Sequence, residues 1–531
     1  MGRPCYETTQ QSKRASTLIG LVALRPVLSW AGILTMNRSL GWIITLALVG
    51  GFVRAESPGT SSKSELVQHL EAIFYDPSFA KIPTNHFKAE DYGDEPDGST
   101  VNTKAIQAAI DAAHRTGGGV VTLPQGTSVS GALFLKSNVE LRLDEGVVLQ
   151  AVQDDAEYPE LWTRVAGIEM QWPCAFINVN QAENVRLTGK GIIDGNGQYW
   201  WDKFEKLRGS YRARGLRWAQ DYDAKRVRAL VIDKSTNVLL KDFTIQRSGF
   251  WTIQTLYSDR VHISGVIIRN NIGGSGPSTD GVDVDSSRNV LIEKCDIDCN
   301  DDSFAMKAGR DYDGLRVNRP TENVVIRHCV TGRGGGLAIG SETSGGINHI
   351  EMYGMKATRT GCGLHLKSAK NRGGVLRDIW IHDMEMEEVG VLFKCELNWF
   401  PQYSVPPRPK AVPESEWPAH WRVLQTPVEP PERGLPTASN IRLSNITFKK
   451  GRIAIQARGL ESRLVRDVTF ENIKLDAKQG GSIENAADWT FRNVDWNIGT
   501  PVEMKNCLNI ELPKRHSAFA TGMFEEPRPS Q

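Results

Sequence analysis

Short runs of alternating apolar and polar residues recur along most of this chain. Clear examples begin at residues 237, 260, 289 and 323, and the third reads NVLIEKCDI over 289–297. An apolar residue at every second position predicts a β-strand with one buried face. The starts are separated by 23, 29 and 34 residues, a spacing that is typical of a solenoid of stacked repeats.

Further runs at 184–187, 350–352, 378–381, 440–446 and 467–473 continue the series. The repeats are strands rather than helices and lack a Leu-rich horseshoe pattern. We therefore predict an all-β fold, a parallel β-helix (solenoid) with neighbouring strands about 4.8 Å apart. Apolar residues at 105, 106, 109, 110 and 113 have helical spacing, which predicts a helix capped by Thr103 that closes the N-terminal end of the core.

Composition divides the rest of the chain. A basic stretch at Met36–Arg38, an apolar run over 40–53 and a small-residue site at Ala55 predict an upstream segment and secretory signal peptide in 1–55, with translation starting at Met36. The apolar run is short for a membrane span, although a membrane anchor stays an alternative. A leader over 56–88 with a helix at 64–73, a single β-helix domain over 89–512 and a tail over 513–531 would follow. The mature protein would be secreted or periplasmic, without a membrane span.

Two insertions interrupt the repeats. The segment 199–228 is rich in Trp, Arg and Lys, and we expect a long loop there. The segment 396–437 is rich in Pro and aromatic residues; because repeats resume after it, we expect a loop folded back over the coil rather than a linker. Aromatic residues that could wall a groove, or simply pack these loops, are Trp251, Trp399, Phe400, Tyr403, Trp417 and Trp421.

Charge and cysteine content limit the partners and the disulfides that the chain can have. Lys+Arg total 63 against 62 Asp+Glu, a net charge of +1, so no overall field favours nucleic acid. Seven cysteines follow residue 55, an odd number that cannot all pair within the chain. Cys295 and Cys329 occupy the same place in successive repeats, which favours buried core thiols. We expect no metal, no cofactor and a monomer.

Three carboxylates are the candidates for chemistry. Asp280 precedes the pair Asp301 and Asp302 by 21 residues, about one repeat, so successive turns would bring them side by side. Adjacent residues in a regular strand point to opposite faces, but Asn300 indicates a strand end where both could project outward. Crowded carboxyl groups raise the pKa of at least one and make a proton donor available. A separation of about 6.5–9.5 Å would leave room for the water of an inverting glycoside hydrolysis.

Several motifs resemble the polygalacturonase family, glycoside hydrolase family 28, over roughly 89–475. They are STDGVDVDSS, CNDDSFAMKAGRD, GGGLAIGSETSGG and LHLKS, together with the N-terminal DYGDEPDGSTVNTKAIQAAIDAA and GGGVVTLPQG. The resemblance implies a right-handed parallel β-helix and inverting hydrolysis of an α-linked, galacturonate-containing pectic polysaccharide or oligosaccharide. On the matching positions, Asp301 would protonate the glycosidic oxygen, and Asp280 and Asp302 would activate the water.

The sequence departs from the family motifs at three positions. Ser278 stands where the family has Asn; aligning the family's Gly-His-Gly with 333–335 puts Gly334 where it has His; and its Arg-Ile-Lys is His365-Leu366-Lys367. A guanidinium binds a carboxylate through two parallel hydrogen bonds, which His cannot reproduce. Rhamnogalacturonan hydrolases of the family also lack the His, so that substrate stays open.

Candidate substrate-binding cations are Lys367 and His365, with Lys307, Arg310 and Arg333 equally consistent with a solvated surface. An insertion that blocks one groove end would favour exo action. Two other classes stay open: a calcium-dependent pectate lyase, in which the Asp cluster would hold Ca²⁺, and a non-catalytic carbohydrate-binding β-helix.

Overall fold

The computed structural model describes residues 63–410 and 412–514. The predicted signal peptide, the start of the leader and most of the predicted tail lie outside these residues. The residues described from Lys63 onward belong to one compact unit. No helix in this part of the chain is long and apolar enough to cross a membrane.

The chain coils into three parallel sheets, and each turn of the coil adds one strand to each sheet, which confirms the predicted parallel β-helix. Sheet 1 contains the Asn-led runs: His86–Lys88, Gly119–Thr122, Val139–Leu143, Glu183–Gly189, Thr236–Lys241, Asp259–Ser264, Arg288–Glu293, Thr321–Arg327 and Ile347–Tyr353. Sheet 2 contains Asp97–Val101, Gly126–Ser130, Val147–Ala151, Ile192–Asp194, Thr244–Gln246, Ile267–Arg269, Asp296–Asp298, Val330–Thr331 and Lys356–Thr358.

Sheet 3 carries the candidate carboxylates. Its strands are Leu133–Leu135, Ile177–Asn180, Leu230–Asp233, Ile253–Leu256, Val282–Asp285, Asp302–Lys307, Gly336–Ile339, Cys362–Lys367, Val391–Glu396 and Val502–Ile510. Three long strands bend from one sheet into the next at the C-terminal end: Val375–Glu387, Thr437–Arg458 and Val468–Ile498. A short strand, Val465–Arg466, pairs with the last of these.

The Asn that opens several of the sheet 1 runs has a conformational reason. Asn184, Asn237, Asn289 and Asn323 all have φ between 51° and 56°, a left-handed conformation that Asn tolerates better than most residues. Their side chains also stack, since the Asn237 amide donates to Asn184 Oδ1 at 3.1 Å. The apolar residues that follow point inward and form one continuous core. Cys295 and Cys329 are buried free thiols in that core, as predicted.

Helices flank the coil. The expected capping helix is α2 (Thr103–Arg115), which buries Ile106, Ala109, Ile110 and Ala113. Its N-cap is Asn102 and Thr103 is its first helical residue, so the prediction that Thr103 caps it was wrong. The leader contributes α1 (Glu65–Phe74), which packs on Leu291 and Val325 of sheet 1. The other helices are α3 (Gln198–Ala213), α4 (Gln220–Asp223), α5 (Asp311–Val317), α6 (Pro401–Ser404) and α7 (Ala419–Gln425).

The expectation of a loop over 199–228 was wrong, because half of this segment is helix α3. Trp200, Trp201 and Phe204 lie on one face of that helix and are buried, so the aromatic residues that suggested a loop supply a buried helical face. The insertion 396–437 contains α6 and α7. A third excursion is an antiparallel hairpin, Glu160–Val165 paired with Ile168–Pro173.

Candidate active site

The three carboxylates meet on the outer face of sheet 3. Asp280 lies two residues before the strand Val282–Asp285, and Asp302 opens the strand Asp302–Lys307 on the next turn. The Gly281 N–H donates to the Asp302 carbonyl at 2.9 Å, which fixes the two turns against each other. One oxygen from each of Asp280, Asp301 and Asp302 lies within 4.8 Å of the others. The carboxylates are therefore closer together than the expected 6.5–9.5 Å.

A local irregularity lets two adjacent residues face the same way. The pairing of Asp302–Lys307 with the next strand shifts register between Asp302 and Phe304, so strict alternation fails at this strand end. Asp301 lies in the preceding turn, where its Oδ1 accepts the Asp302 N–H at 2.9 Å and its carbonyl accepts a hydrogen bond from the Cys299 thiol at 3.1 Å. The turn suggested by Asn300 is present.

Burial shapes the acidity of this cluster. Loss of solvent contact raises the pKa of Asp280 well above its usual value, and the neighbouring Asp283 and Asp301 raise it further. Burial, then the charge of Asp302, also raises the pKa of Asp301. Burial raises the pKa of Asp283 to about 8 despite the nearby Lys307. Such crowding keeps a proton within the cluster at neutral pH.

Two buried lysines balance the remaining negative charge. Lys367 Nζ lies 2.6 Å from Asp302 Oδ2. Lys307 Nζ lies 3.2 Å from Glu342, 3.5 Å from Asp283 and 3.7 Å from Asp280. Burial alone would raise the pKa of Glu342, but Lys307 and other nearby cations hold it at about 2. Glu342 is therefore an ionised partner of Lys307 rather than a proton donor.

The carboxylates form the floor of a cavity of ≈ 230 Å³. Its aromatic walls are Phe250, Trp251, Trp399, Phe400 and Tyr403, and Arg217, Asp221 and Ala166 add polar and backbone surface. This volume is below the roughly 300–1,000 Å³ of pockets for drug-sized ligands. It matches a single sugar residue better than a length of chain.

The hairpin Glu160–Val165/Ile168–Pro173 closes one side of the cavity. Arg164 Nη1 donates to Asp285 at 2.8 Å with both side chains fully buried, which ties the hairpin to sheet 3. Its tip is held from two further directions: the Gly167 carbonyl accepts the Arg310 N–H at 2.8 Å, and the Ala166 carbonyl accepts the Tyr222 hydroxyl at 2.7 Å. The hairpin is thus fixed in place beside the carboxylates.

The insertion 396–437 folds back over the coil, as predicted, and joins the hairpin and the α3–α4 segment. Trp421 packs edge-on to Trp218 with ring centroids 5.2 Å apart, and its indole donates to Asp223 at 3.0 Å. Trp417 and Trp421 belong to this second hydrophobic cluster. They pack the loops, whereas Trp251, Trp399, Phe400 and Tyr403 wall the cavity.

The structure separates the five predicted cations into two groups. Lys307 and Lys367 line the cavity. Arg310 is fully buried and donates to the Tyr222 hydroxyl at 2.9 Å and the Tyr403 carbonyl at 2.7 Å, so it anchors the insertion. Arg333 is 63% exposed and pairs with Asp298 outside the cavity. His365 does not line the cavity; its Nε2 lies 3.5 Å from Glu396, and burial lowers its pKa to about 4.

The position of the missing His moves by one residue. A β-carbon at Gly334, where φ is +137°, would approach the Asp301 carbonyl. A β-carbon at Gly335 would instead lie 2.5 Å from Asp302 Oδ1, so only a side chain at 335 would point at a catalytic candidate. A side chain at 335 rather than at 334 would therefore lie beside the aspartates, which favours 334–336 over 333–335 as the place of the Gly-His-Gly motif.

Sequence reasoning missed Arg217, Asp221 and Glu342 as cavity residues. Glu342 had a usable signal, since it follows Gly340-Ser341 in a motif that had already been singled out. Arg217 and Asp221 had no sequence signal, because only the packing of the α3–α4 segment against the insertion brings them to the wall of the cavity.

Comparisons with known proteins agree with this geometry. The family model "Glycosyl hydrolases family 28" matches residues 121–395, more than half of the chain. A "Probable polygalacturonase" of Vitis vinifera is 29% identical over 65% of this chain and 69% of its own length. An "Endo-polygalacturonase" of Pectobacterium carotovorum subsp. carotovorum is 27% identical over 73% and 87%.

Among solved structures, the hyperthermoactive exopolygalacturonase from Thermotoga maritima superposes with a TM-score of 0.62 at 24% identity, covering 84% of this chain and 95% of that one. This likeness supports the fold. The family match and the curated relatives support the class of reaction. The chain therefore belongs to glycosyl hydrolases family 28 and is a glycoside hydrolase of the polygalacturonase type.

Proposed function

We propose that this protein is an exo-acting hydrolase that removes galacturonate residues from the end of a pectic polysaccharide or oligosaccharide. The observation that carries the proposal is the ≈ 230 Å³ cavity over Asp280, Asp301 and Asp302, bounded by the hairpin and the two insertions. A long groove would admit the middle of a chain, whereas a small, partly open cavity walled by these segments has room for a single terminal residue. Aromatic walls suit the apolar faces of a sugar ring.

In this proposal Asp301 is the general acid. Burial and the neighbouring Asp302 raise its pKa, which favours the protonated form that a donor to the glycosidic oxygen needs. The pKa of Asp280 is raised as well, so the family resemblance, rather than acidity, assigns the donor role to Asp301. Asp280 and Asp302 position and deprotonate the water. Lys367 balances the negative charge of Asp302 at 2.6 Å, and Lys307 lies 3.7 Å from Asp280. Each lysine thus orients one member of the water-activating pair.

Leaving-group chemistry tests the role of Asp301. Asp301→Asn should lose most activity on galacturonides but recover it on a substrate whose leaving group needs no protonation, such as an aryl galacturonide. Asp280→Asn should lose activity on both substrates. If the aryl substrate rescues Asp280→Asn and not Asp301→Asn, the acid and base assignments are reversed.

We propose inversion of configuration, as the family resemblance implies. The distances alone favour it less, because oxygens within 4.8 Å of one another are nearer to the about 5–5.5 Å of retaining enzymes than to the about 6.5–9.5 Å of inverting ones. Proton NMR of the first product decides: a β-anomer from an α-linkage means inversion. An α-anomer means retention through a covalent intermediate on one of the three aspartates.

Rhamnogalacturonan is the second candidate substrate, and the glycine at 335 favours it. Incubation with homogalacturonan, rhamnogalacturonan and short galacturonides, with identification of the released ends, separates the two. Release of galacturonate from homogalacturonan supports the first proposal, and cleavage of rhamnogalacturonan alone supports the second. Membership of a glycosyl hydrolase family argues against the pectate lyase and the non-catalytic carbohydrate-binding alternatives. We further propose that the protein acts as an exported monomer, which fractionation of expressing cells and size-exclusion chromatography would test.

A further inference from the structure

Three cations line the cavity among the described residues: Arg217, Lys307 and Lys367. Both lysines are paired with carboxylates in the cavity. Lys307 contacts Glu342, Asp283 and Asp280, and its side chain is 5% exposed. Lys367 contacts Asp302, and its side chain is 8% exposed. Neither ammonium is free for a substrate carboxylate without giving up a buried partner, which is costly.

Arg217 differs from the lysines. Its side chain is 30% exposed, and its Nη1 donates to Asp221 at 2.6 Å. Within the described residues, Nε and Nη2 have no hydrogen-bond partner. The guanidinium also lies 5.2 Å from the centre of the Tyr403 ring, and the flanking Leu216 and Trp218 are buried in the second hydrophobic cluster. Arg217 therefore presents free donors from a fixed position.

No guanidinium comes from the position where the family motif would supply one. His365 occupies that place, is not part of the cavity lining, and has a pKa lowered to about 4 by burial. It is therefore neutral at ordinary pH and contributes no positive charge. Arg217 is the one arginine on the cavity wall of the described chain.

We propose that Arg217 binds the carboxylate of the sugar residue in the cavity and makes the site selective for uronates over neutral or esterified sugars. The inference rests on the proposed function and adds a specificity-determining residue to it. The two free nitrogens of a guanidinium match the two oxygens of a carboxylate. In the family motif an arginine of the coil would bind the substrate carboxylate; here an arginine of the α3–α4 segment takes that role.

The charges around Arg217 support this assignment. Asp221 is shared, since its other oxygen accepts Arg226 Nη2 at 3.0 Å. Arg217, Asp221 and Arg226 together carry one net positive charge on the cavity wall, close enough to the acidic floor for the charge of Asp301 to act on Arg217. A uronate bound there would be neutralised by this wall and kept from direct contact with the Asp280–Asp302 cluster, where like charges repel.

The test compares Arg217→Gln and Arg217→Lys with wild type on trigalacturonate and on its methyl ester. A matched control is Arg212→Gln, which changes an exposed arginine that does not line the cavity. Arg217→Gln should raise KM for the acid about 10- to 100-fold, as expected for a lost charged hydrogen bond, with kcat changed much less. It should act on the ester as wild type does. Arg217→Lys should fall between, and Arg212→Gln should match wild type.

Two outcomes overturn the inference: an unchanged KM in Arg217→Gln, or equal losses on acid and ester. If the wild type cleaves neither substrate, the proposed function has failed, and binding then isolates the role of Arg217. In that case calorimetry with trigalacturonate should show binding to wild type and Arg212→Gln that Arg217→Gln weakens. Equal binding by all three proteins would refute the assignment independently of turnover.

Discussion

Glu342 lines the cavity and is almost completely buried, and its charge matters more to the fold than to the reaction. Its carboxylate accepts Lys307 Nζ at 3.2 Å. Although burial alone would raise its pKa, Lys307, Arg372, Arg310 and Lys367 hold that pKa at about 2, against 4.5 in a free peptide. Replacing Glu342 by Gln keeps the shape and removes the charge.

The size of the effect follows from the pKa difference between the folded and unfolded chains. The difference of about 2.5 units, from 4.5 to about 2, corresponds to about 3 kcal/mol in the free energy of unfolding. Because the folded pKa is the lower one, this stability is fully present above the unfolded pKa and is lost as pH falls through the folded pKa. Near pH 3 about half of it should remain.

Urea unfolding of wild type and Glu342→Gln at several pH values measures this difference. The gap in unfolding free energy should be about 3 kcal/mol near neutral pH and should narrow steadily below about pH 4.5. Glu387→Gln is the matched control, since Glu387 pairs with Lys450 at 2.7 Å but is exposed; screened surface pairs contribute little. A Glu342→Gln gap that stays constant with pH, or that vanishes at neutral pH, would refute the reasoning.

Three further predictions concern activity. Gly335→Ala should lower kcat about 10-fold or more, because its β-carbon would lie 2.5 Å from Asp302 Oδ1 and displace a reacting group. Gly209→Ala is the control: the space around Gly209 is open, so kcat should not change. Asp301→Asn should lower kcat about 10²- to 10⁴-fold on galacturonides without lowering the melting temperature, as calorimetry would show. The basic limb of the pH–rate profile should lie above the usual carboxyl range, because activity is lost as pH rises through the raised pKa of Asp301. Lys367→Met should move that limb to higher pH, since the charge of Lys367 lowers the pKa of Asp301.

Local rules were sufficient to predict the coil. Strand runs such as 289–297 have an apolar residue at every second position, and the neighbouring turns repeat this pattern. The sequence therefore predicts both a strand and the strand that pairs with it. The Asn that opens several runs takes a left-handed conformation at the same corner of the coil. The capping helix over Thr103–Arg115 is equally local. In contrast, the helix Gln198–Ala213 was missed because its aromatic content was taken as a loop signal.

The candidate site divides along the same line. Asp280 lies one turn before Asp301 and Asp302, and Lys367 lies two turns after them, so the repeat alone predicts that they share one face of the coil. The separation of their oxygens depends on a register shift at Asp302 that no spacing rule reveals. Arg217 lies far from the floor in sequence and reaches the cavity only through packing between two insertions, which a repeat pattern does not encode.

The lengths of the first products from polygalacturonate distinguish removal of chain ends from cleavage within the chain. If the small cavity over Asp280, Asp301 and Asp302 takes a chain end, galacturonate should be the first and dominant product from the earliest time points, while the polymer shortens slowly. Chromatography of samples taken at low conversion would show this. An early ladder of mixed oligomers, with a rapid fall in polymer length, would contradict it.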